Sequence, residues 1–312
     1  MPNLTRICGP RRFEGNMSDL FALQSEVTSR IAVALGVELI AAEAARPTDN
    51  PGALDYILRG RAAWLKPNSR ESFAERISMF ERALALDPQS IEAQSLLAWA
   101  LAGRVLDNVT DSGATDIVRA EELVAQALAV SPRNPTAHTA KGQVLRAQGR
   151  WEEAIAEFET VLAINPNATV VLNILAGCKL LIGSIEEVIP LEERAIRLSP
   201  RDPLIGHFYR RIGHVHLLQS RTDDAILWLE KARFAIPKLP FLHSLLASAY
   251  GLKGQAECAG VELAEARRLS GDARFSSLAR LRTAQYWGVP KIRALFEATY
   301  FAGLRLAGMP EE

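Results

Sequence analysis

A short word ending in proline recurs along this chain at a near-constant interval. It reads FERALALDP to Pro88, AQALAVSP to Pro132, EFETVLAINP to Pro166, EERAIRLSP to Pro200 and EKARFAIP to Pro237, and AEARRLSG ends at Gly271 in the same place. The intervals are 44, 34, 34, 37 and 34 residues. Self-similarity at such a period means an array in which each unit buries its apolar face only by stacking on its neighbours.

A second marker keeps step with the first. AQGRWEEA (147–154), LIGSIEEV (181–188), LQSRTDDA (218–225) and LKGQAECA (252–259) lie 34, 37 and 34 residues apart. Each reads as the end of one helix, a tight turn and the acidic first turn of the next. Gly149, Gly183 and Gly254 suit the left-handed residue that closes a helix. Glu152-Glu153 and Asp223-Asp224 suit the positive end of the following helix dipole. Between the markers, Trp151, Ala154, Ile155, Phe158, Val161 and Leu162 form one apolar face at helical spacing.

This register resembles the tetratricopeptide repeat (TPR) family, whose period is 34 residues. Counted back from Pro166, the family's small residue of helix A falls on Gly142, its helix-B alanine on Ala154 and its aromatic on Phe158. The fifth unit offers Gly213, Ala225 and Ala232 in these places, and the sixth Ala247, Tyr250, Ala259 and Ala266. The resemblance implies an all-α fold, a right-handed α-α superhelix of about six helix pairs spanning residues 53–271. Unit one (about 53–88) carries extra turn residues, KPNSRES, and unit two (about 90–132) a polar loop, DNVTDSGATD. No alternating strand pattern with hairpin signals appears between 50 and 312. After Gly271, ARFSSLARLRTAQYWG and PKIRALFEATYFAGLRLAG read as further helices, a terminal cap over 272–312.

Charge and composition exclude several classes. Thirty-six basic residues balance thirty-six acidic ones, without the basic excess that replaces phosphate counterions in a nucleic-acid binder. Cys8, Cys178 and Cys258 are isolated, which fits a reducing compartment better than a disulfide framework or zinc. Neither a signal-peptide core nor a membrane-length apolar run is present. The expectation is a cytoplasmic chain with protein or peptide partners, no nucleic acid and no membrane.

The N-terminal part poses a different question. Residues 1–17 read as irregular, and Ser18 caps a helix whose Leu20, Leu23, Val27, Ile31 and Ala34 form a continuous apolar stripe. Residues 44–52, AARPTDNPG, read as a linker. The order RFEGNMSDLFALQSEVTSRIAVAL, a Pro-containing linker, then ALDYILRGRAAW resembles the C-terminal part of bacterial class III adenylate/guanylate cyclase-like proteins. In these a TolB-like domain precedes TPR units, and the ending ATYFAGLRLAGMPEE is similar to theirs as well. The resemblance runs from about residue 12 to the end. It implies that helix 18–36 and linker (18–45) are a remnant of the TolB-like domain end, and that the cyclase domain with its metal-binding aspartates is absent. The chain would then be the tail of a larger architecture, with the 18–36 stripe free to dock on the first repeat or to self-associate.

Catalytic groupings are missing. No phosphate-binding glycine loop or nucleophile elbow occurs. Carboxylate neighbours such as Glu186-Glu187 and Glu192-Glu193 sit about 100° apart on a helix, an arrangement for solvation rather than acid–base work. His207, Arg210 and His214 share a helical face, yet Arg210 between the histidines repels a cation, so no metal and no cofactor is expected. The family's register places Arg61, Trp64, Trp99, Thr139, Gln143, Arg146, Asn173, His207, Arg210, His214, Ser244 and Ser248 on the inner groove. Tryptophan and arginine are frequent binding hot spots, although Trp64 and Trp99 equally suit inter-helix core. The lysine and asparagine pattern with which some TPR domains grip a terminal carboxylate is not reproduced. The expected function is a non-catalytic protein–protein scaffold binding a partner segment in that groove. The alternative is the regulatory, C-terminal part of a cyclase-like signalling protein.

Overall fold

The computed structural model describes Ala42, residues 51–284 and residues 286–312; the stripe 18–36 lies outside the described residues. Twelve helices follow as six pairs: α1 (Ala53–Ala63) with α2 (Arg70–Leu86), α3 (Ile91–Leu106) with α4 (Gly113–Val130), and α5 (Pro135–Ala147) with α6 (Trp151–Ile164). Then come α7 (Thr169–Ile182) with α8 (Val188–Leu198), α9 (Ile205–Leu218) with α10 (Thr222–Ala235), and α11 (Pro240–Leu252) with α12 (Ala256–Ser270). The described residues contain no strand. The architecture is an all-α solenoid of stacked pairs.

Local chemistry sets the helix ends. Ser69, Ser90 and Asn134 accept hydrogen bonds from the backbone N–H three residues on, satisfying donors that a helix start leaves free. Pro135 and Pro240 occupy first-turn positions, where no N–H is needed. Gly183 ends α7 at φ 102°, in the left-handed region. In unit two the polar loop is held by Asp116, which is buried and accepts from Arg104 Nε (2.6 Å) and Thr110 Oγ1 (2.9 Å).

Within each pair the seam pairs a small residue with a large one. Gly60 faces Phe80 and Gly142 faces Phe158, so closely that a Cβ on either glycine would overlap the ring. A Cβ on Gly213 would stand 2.7 Å from Leu229 Cγ. Eight residues before each terminal Pro or Gly stand Phe80, Val124, Phe158, Glu192, Leu229 and Leu263, and all are buried. Five are apolar; unit four alone puts a carboxylate there.

Beyond Gly271 the chain covers the last pair and continues further. Helix α13 (Leu278–Thr283) is followed by α14 (Pro290–Phe296), a single π-helical turn (Glu297–Phe301) and α15 (Ala302–Leu306). This C-terminal rod lies along α11: Gly251 and Gly303 approach so closely that a Cβ on either would strike the other helix's backbone. Tyr300 Oη is 2.7 Å from Ser244 Oγ, and Ser248 Oγ donates to the Tyr300 carbonyl at 2.9 Å. A π turn interrupts the regular i→i−4 ladder, and Ser248 supplies the carbonyl's partner.

The segment before the rod reaches back across earlier units. Val289 N donates to Leu181 O on α7 (2.8 Å), Tyr286 stacks on Trp151 of α6 at 5.3 Å, and Asn108 Nδ2 after α3 donates to Ala284 O (3.0 Å). Gly288, at φ 89°, permits the first of these, since a Cβ there would lie 2.8 Å from Leu181 O. The tail closes the loop, with Leu278 N and Ala279 N donating to Pro310 O and Glu311 O at 2.9 Å each.

Candidate functional site on the inner face

The first helices of the pairs (α1, α3, α5, α7, α9 and α11) carry eleven of the twelve residues expected on the groove, and Trp64 directly follows α1. The C-terminal rod divides them. Its Phe296 ring lies 5.1 Å from His214, edge-on, and its Tyr300 and Gly303 close over Ser244 and Ser248, which are fully buried. His214, Ser244 and Ser248 are therefore committed to the chain's own rod and not open to a partner. Trp287, 6% exposed, completes this box among Phe241, Phe296, Tyr300 and Phe301.

Toward the N-terminus the residues divide between packing and surface. Thr139 and Gln143 are buried; Thr139 Oγ1 donates to Pro135 O and Gln143 Oε1 accepts from Arg146. Arg61 pairs with Glu92 of the next unit. Trp64 is half-buried, its ring 5.1 Å from that of Trp99 and 5.5 Å from that of Phe80. Both tryptophans pack on the core and keep a partly open surface. Arg146, Asn173, His207 and Arg210 are half-buried.

Comparison with known proteins decides the architecture. The tetratricopeptide repeat family model matches residues 113–169. A thermophilic TPR protein of Thermus thermophilus superposes with a TM-score of 0.50 at 19% identity, over 64% of this chain and 98% of that one. Pseudomonas aeruginosa PilF gives a TM-score of 0.51 at 18% identity, covering 72% of this chain and 94% of that one. The Cut9–Hcn1 assembly of the APC/C gives 0.59 at 17%, covering 82% and 47%.

The array is a TPR solenoid.

A Rhizobium meliloti (strain 1021) protein bearing an adenylate cyclase name is 29% identical over 147 residues, 46% of this chain and 25% of that protein. The match thus spans a quarter of the relative's length, and is consistent with the cyclase-like resemblance of the sequence.

Buried charges gather around unit four. Glu192 is fully buried, accepts from Asn173 Nδ2 at 2.9 and 3.1 Å, and lies 3.0 Å from Arg211 Nε. This corrects the expectation that Glu192, like Glu193, serves solvation: Glu193 is exposed, whereas Glu192 occupies the seam position. Burial lifts its carboxyl to about 7, against the pull of Arg211, Asn173 and Arg210. Burial, with Arg211 beside it, lowers Arg210 to about 9. Burial, then Arg210 and Arg211, lowers His207 to about 4 and His214 well below the usual imidazole range. Both ring nitrogens of His214 lack a hydrogen-bond partner among the described residues. These histidines are neutral at pH 7, and no metal-holding cluster of His, Cys, Asp and Glu occurs among the described residues.

A feature of the repeat that spacing alone did not bring out is a pair of equivalent histidines. His138 and His243 each set Nδ1 2.6 Å from a helix-B carboxylate, Glu157 and Glu262, and Nε2 against the carbonyl of the preceding unit's terminal proline. The signal was present: both histidines lie 6 residues after that proline and 19 before that glutamate. Burial opposes charging His243, but the bonds to Glu262 and the Pro237 carbonyl prevail and raise its pKa above 6.5. A raised folded-state pKa stabilises below the unfolded pKa, and that stabilisation is lost as pH rises through the folded value. The wild-type advantage over His243→Gln is thus expected to be largest near pH 6, at about 1–2 kcal/mol, and to shrink by about pH 9. Urea unfolding of both proteins across that range measures it; an advantage that grows with pH contradicts the assignment.

Among the described residues no helix is long and apolar enough to cross a membrane.

Proposed function

We propose that this chain is a non-catalytic scaffold that holds a segment of a partner polypeptide on the open, N-terminal part of its TPR inner face. The observation that supports this reading is the C-terminal rod, a helix packed along α11 with Tyr300 against Ser244, a position that the repeat register assigns to the inner face, and Gly303 against Gly251. Upstream of the rod the same concavity offers Trp64 and Trp99 as aromatic surface and Arg146 and Arg210 as donors. Rigid aromatic and arginine side chains of this kind dominate polypeptide interfaces. We place this work in the cytoplasm, in keeping with thiols that are unpaired, Cys178 buried and Cys258 exposed.

Photo-crosslinking tests the reading. A photoreactive residue at Trp99 is expected to capture a partner chain that the same residue at Phe234 does not; Phe234 is 94% exposed on α10. Capture confined to position 234 would place the partner elsewhere.

A second reading, the regulatory part of a cyclase-like signalling protein, is favoured by the Rhizobium meliloti likeness. It shares the expectation that this chain alone forms no cyclic AMP, since its sequence contains no catalytic grouping. Measurable cyclic-AMP synthesis by the purified chain would overturn both.

A further inference from the structure

In a stacked array the first helix of a pair turns one apolar face toward the unit before it, and α1 carries that face at the start of the array. The close helix crossing locates it. The small residue there is Gly60 in unit one, Gly142 in unit three and Gly213 in unit five. Two positions later stand Ala62, Val144 and Val215, and five positions later Leu65, Ala147 and Leu218. Val144 is 3% exposed and Val215 fully buried. The core shows what this face meets: Ala140, Val144 and Ala147 pack into the cluster of Leu97, Leu101, Ala120 and Val124 in the preceding unit. Their neighbour Leu145 joins Ile155 and Phe158 of its own unit instead.

On α1 the same face runs Leu54, Leu58, Ala62 and Leu65, at spacings of four, four and three. Leu54 is 66% and Leu65 47% exposed, and Leu58 and Ala62 are half-buried. Ile57, Gly60 and Ala63, on the side toward α2, are buried. The terminal unit of an array needs such a face covered by an element whose outer side is polar.

We infer that this face of α1 receives residues 18–36 of the same chain, whose stripe Leu20, Leu23, Val27, Ile31 and Ala34 takes the place of a preceding unit. Length and attachment favour this occupant. As a helix, 18–36 extends about 28 Å, enough to cover α1 at about 16 Å. Residues 37–52 join the two and reach up to about 50 Å when extended, so the segment can fold back along α1. Such a tether holds it at an effective concentration on the order of 1 mM, above that of a second copy in dilute solution. Ser18, Ser25 and Ser29 fall opposite the stripe and supply the polar outer side. The docking is independent of what the groove binds.

Hydrogen exchange on the full chain, with its mass followed by sedimentation, tests the docking. In the monomer the amides of 20–34 are expected to exchange at least about tenfold slower than an unstructured chain. Leu54→Asp combined with Leu65→Asp, both at exposed positions, is expected to abolish that protection while α9 stays protected. Reciprocally, Leu23→Asp combined with Val27→Asp is expected to speed exchange in α1 about tenfold. If the α1 variant also loses protection in α2, unit one has unfolded and the reciprocal pair decides. Unstructured exchange of 20–34 in the wild type, or α1 exchange unchanged by the reciprocal pair, overturns the inference. Protection that survives the α1 variant would place the segment elsewhere, and protection that appears only as the mass doubles would assign the face to a second copy; either result overturns it too.

Discussion

Trp287→Ala is expected to be the most damaging single change in the C-terminal segment, costing about 3–5 kcal/mol. The indole is 6% exposed, meets four aromatic rings, and donates from Nε1 to Arg282 O at 3.0 Å. Its removal empties a box whose other walls cannot close, because Tyr300 is tied to Ser244 and Gly303 abuts Ser248 and Gly251. A typical domain holds only about 5–15 kcal/mol in total, so a loss of this size releases the rod or unfolds the array. Urea unfolding and limited proteolysis read the two outcomes separately. Tyr286→Ala is the control: its ring is 47% exposed and stacks on Trp151 alone, so a loss of no more than about 1.5 kcal/mol is expected. A Trp287→Ala protein as stable as this control would contradict the packing described.

The second large effect lies in the repeat seam. Phe158 is fully buried with its ring over Gly142, and Phe158→Ala is expected to cost about 3–5 kcal/mol. Gly142→Ala forces a methyl into the same ring and is expected to cost about 1–3 kcal/mol, despite the better helix propensity of alanine. The two changes compensate in space, so the double variant should lose clearly less than the sum of the single losses. Simple additivity, measured by denaturant unfolding of all four proteins, would mean that the ring does not sit over this glycine.

The period was legible because each unit ends in a backbone signal, Pro or Gly, that only a turn accommodates. Gly142 with Phe158 was legible for a related reason: a close helix crossing requires a small residue opposite a large one. The course of the C-terminal segment was not legible. Trp287, Phe296, Tyr300 and Phe301 read as the apolar side of any terminal cap, and the surfaces that receive them, His214, Ser244, Ser248 and Gly251, carry no apolar stripe. Three residues assigned to the open groove are thereby covered. Glu192 escaped the sequence reading for a different reason. Its neighbour Glu193 suggests a solvated pair, whereas its place eight residues before Pro200 is the informative coordinate. Arg146 and Arg210 were assigned to the inner face from register alone; what the sequence did not contain was that the Nε of each would be buried without an acceptor among the described residues.

Amide hydrogen exchange at Val289 tests most directly whether the inner face is shared between the chain's own rod and an open N-terminal part. That N–H donates to Leu181 O, on a helix four pairs into the array. The account predicts protection comparable to that of interior amides of α9, since breaking this bond requires lifting the rod from the solenoid. Exchange at the rate of an unstructured chain, with α9 still protected, would show the rod detached and the whole inner face open.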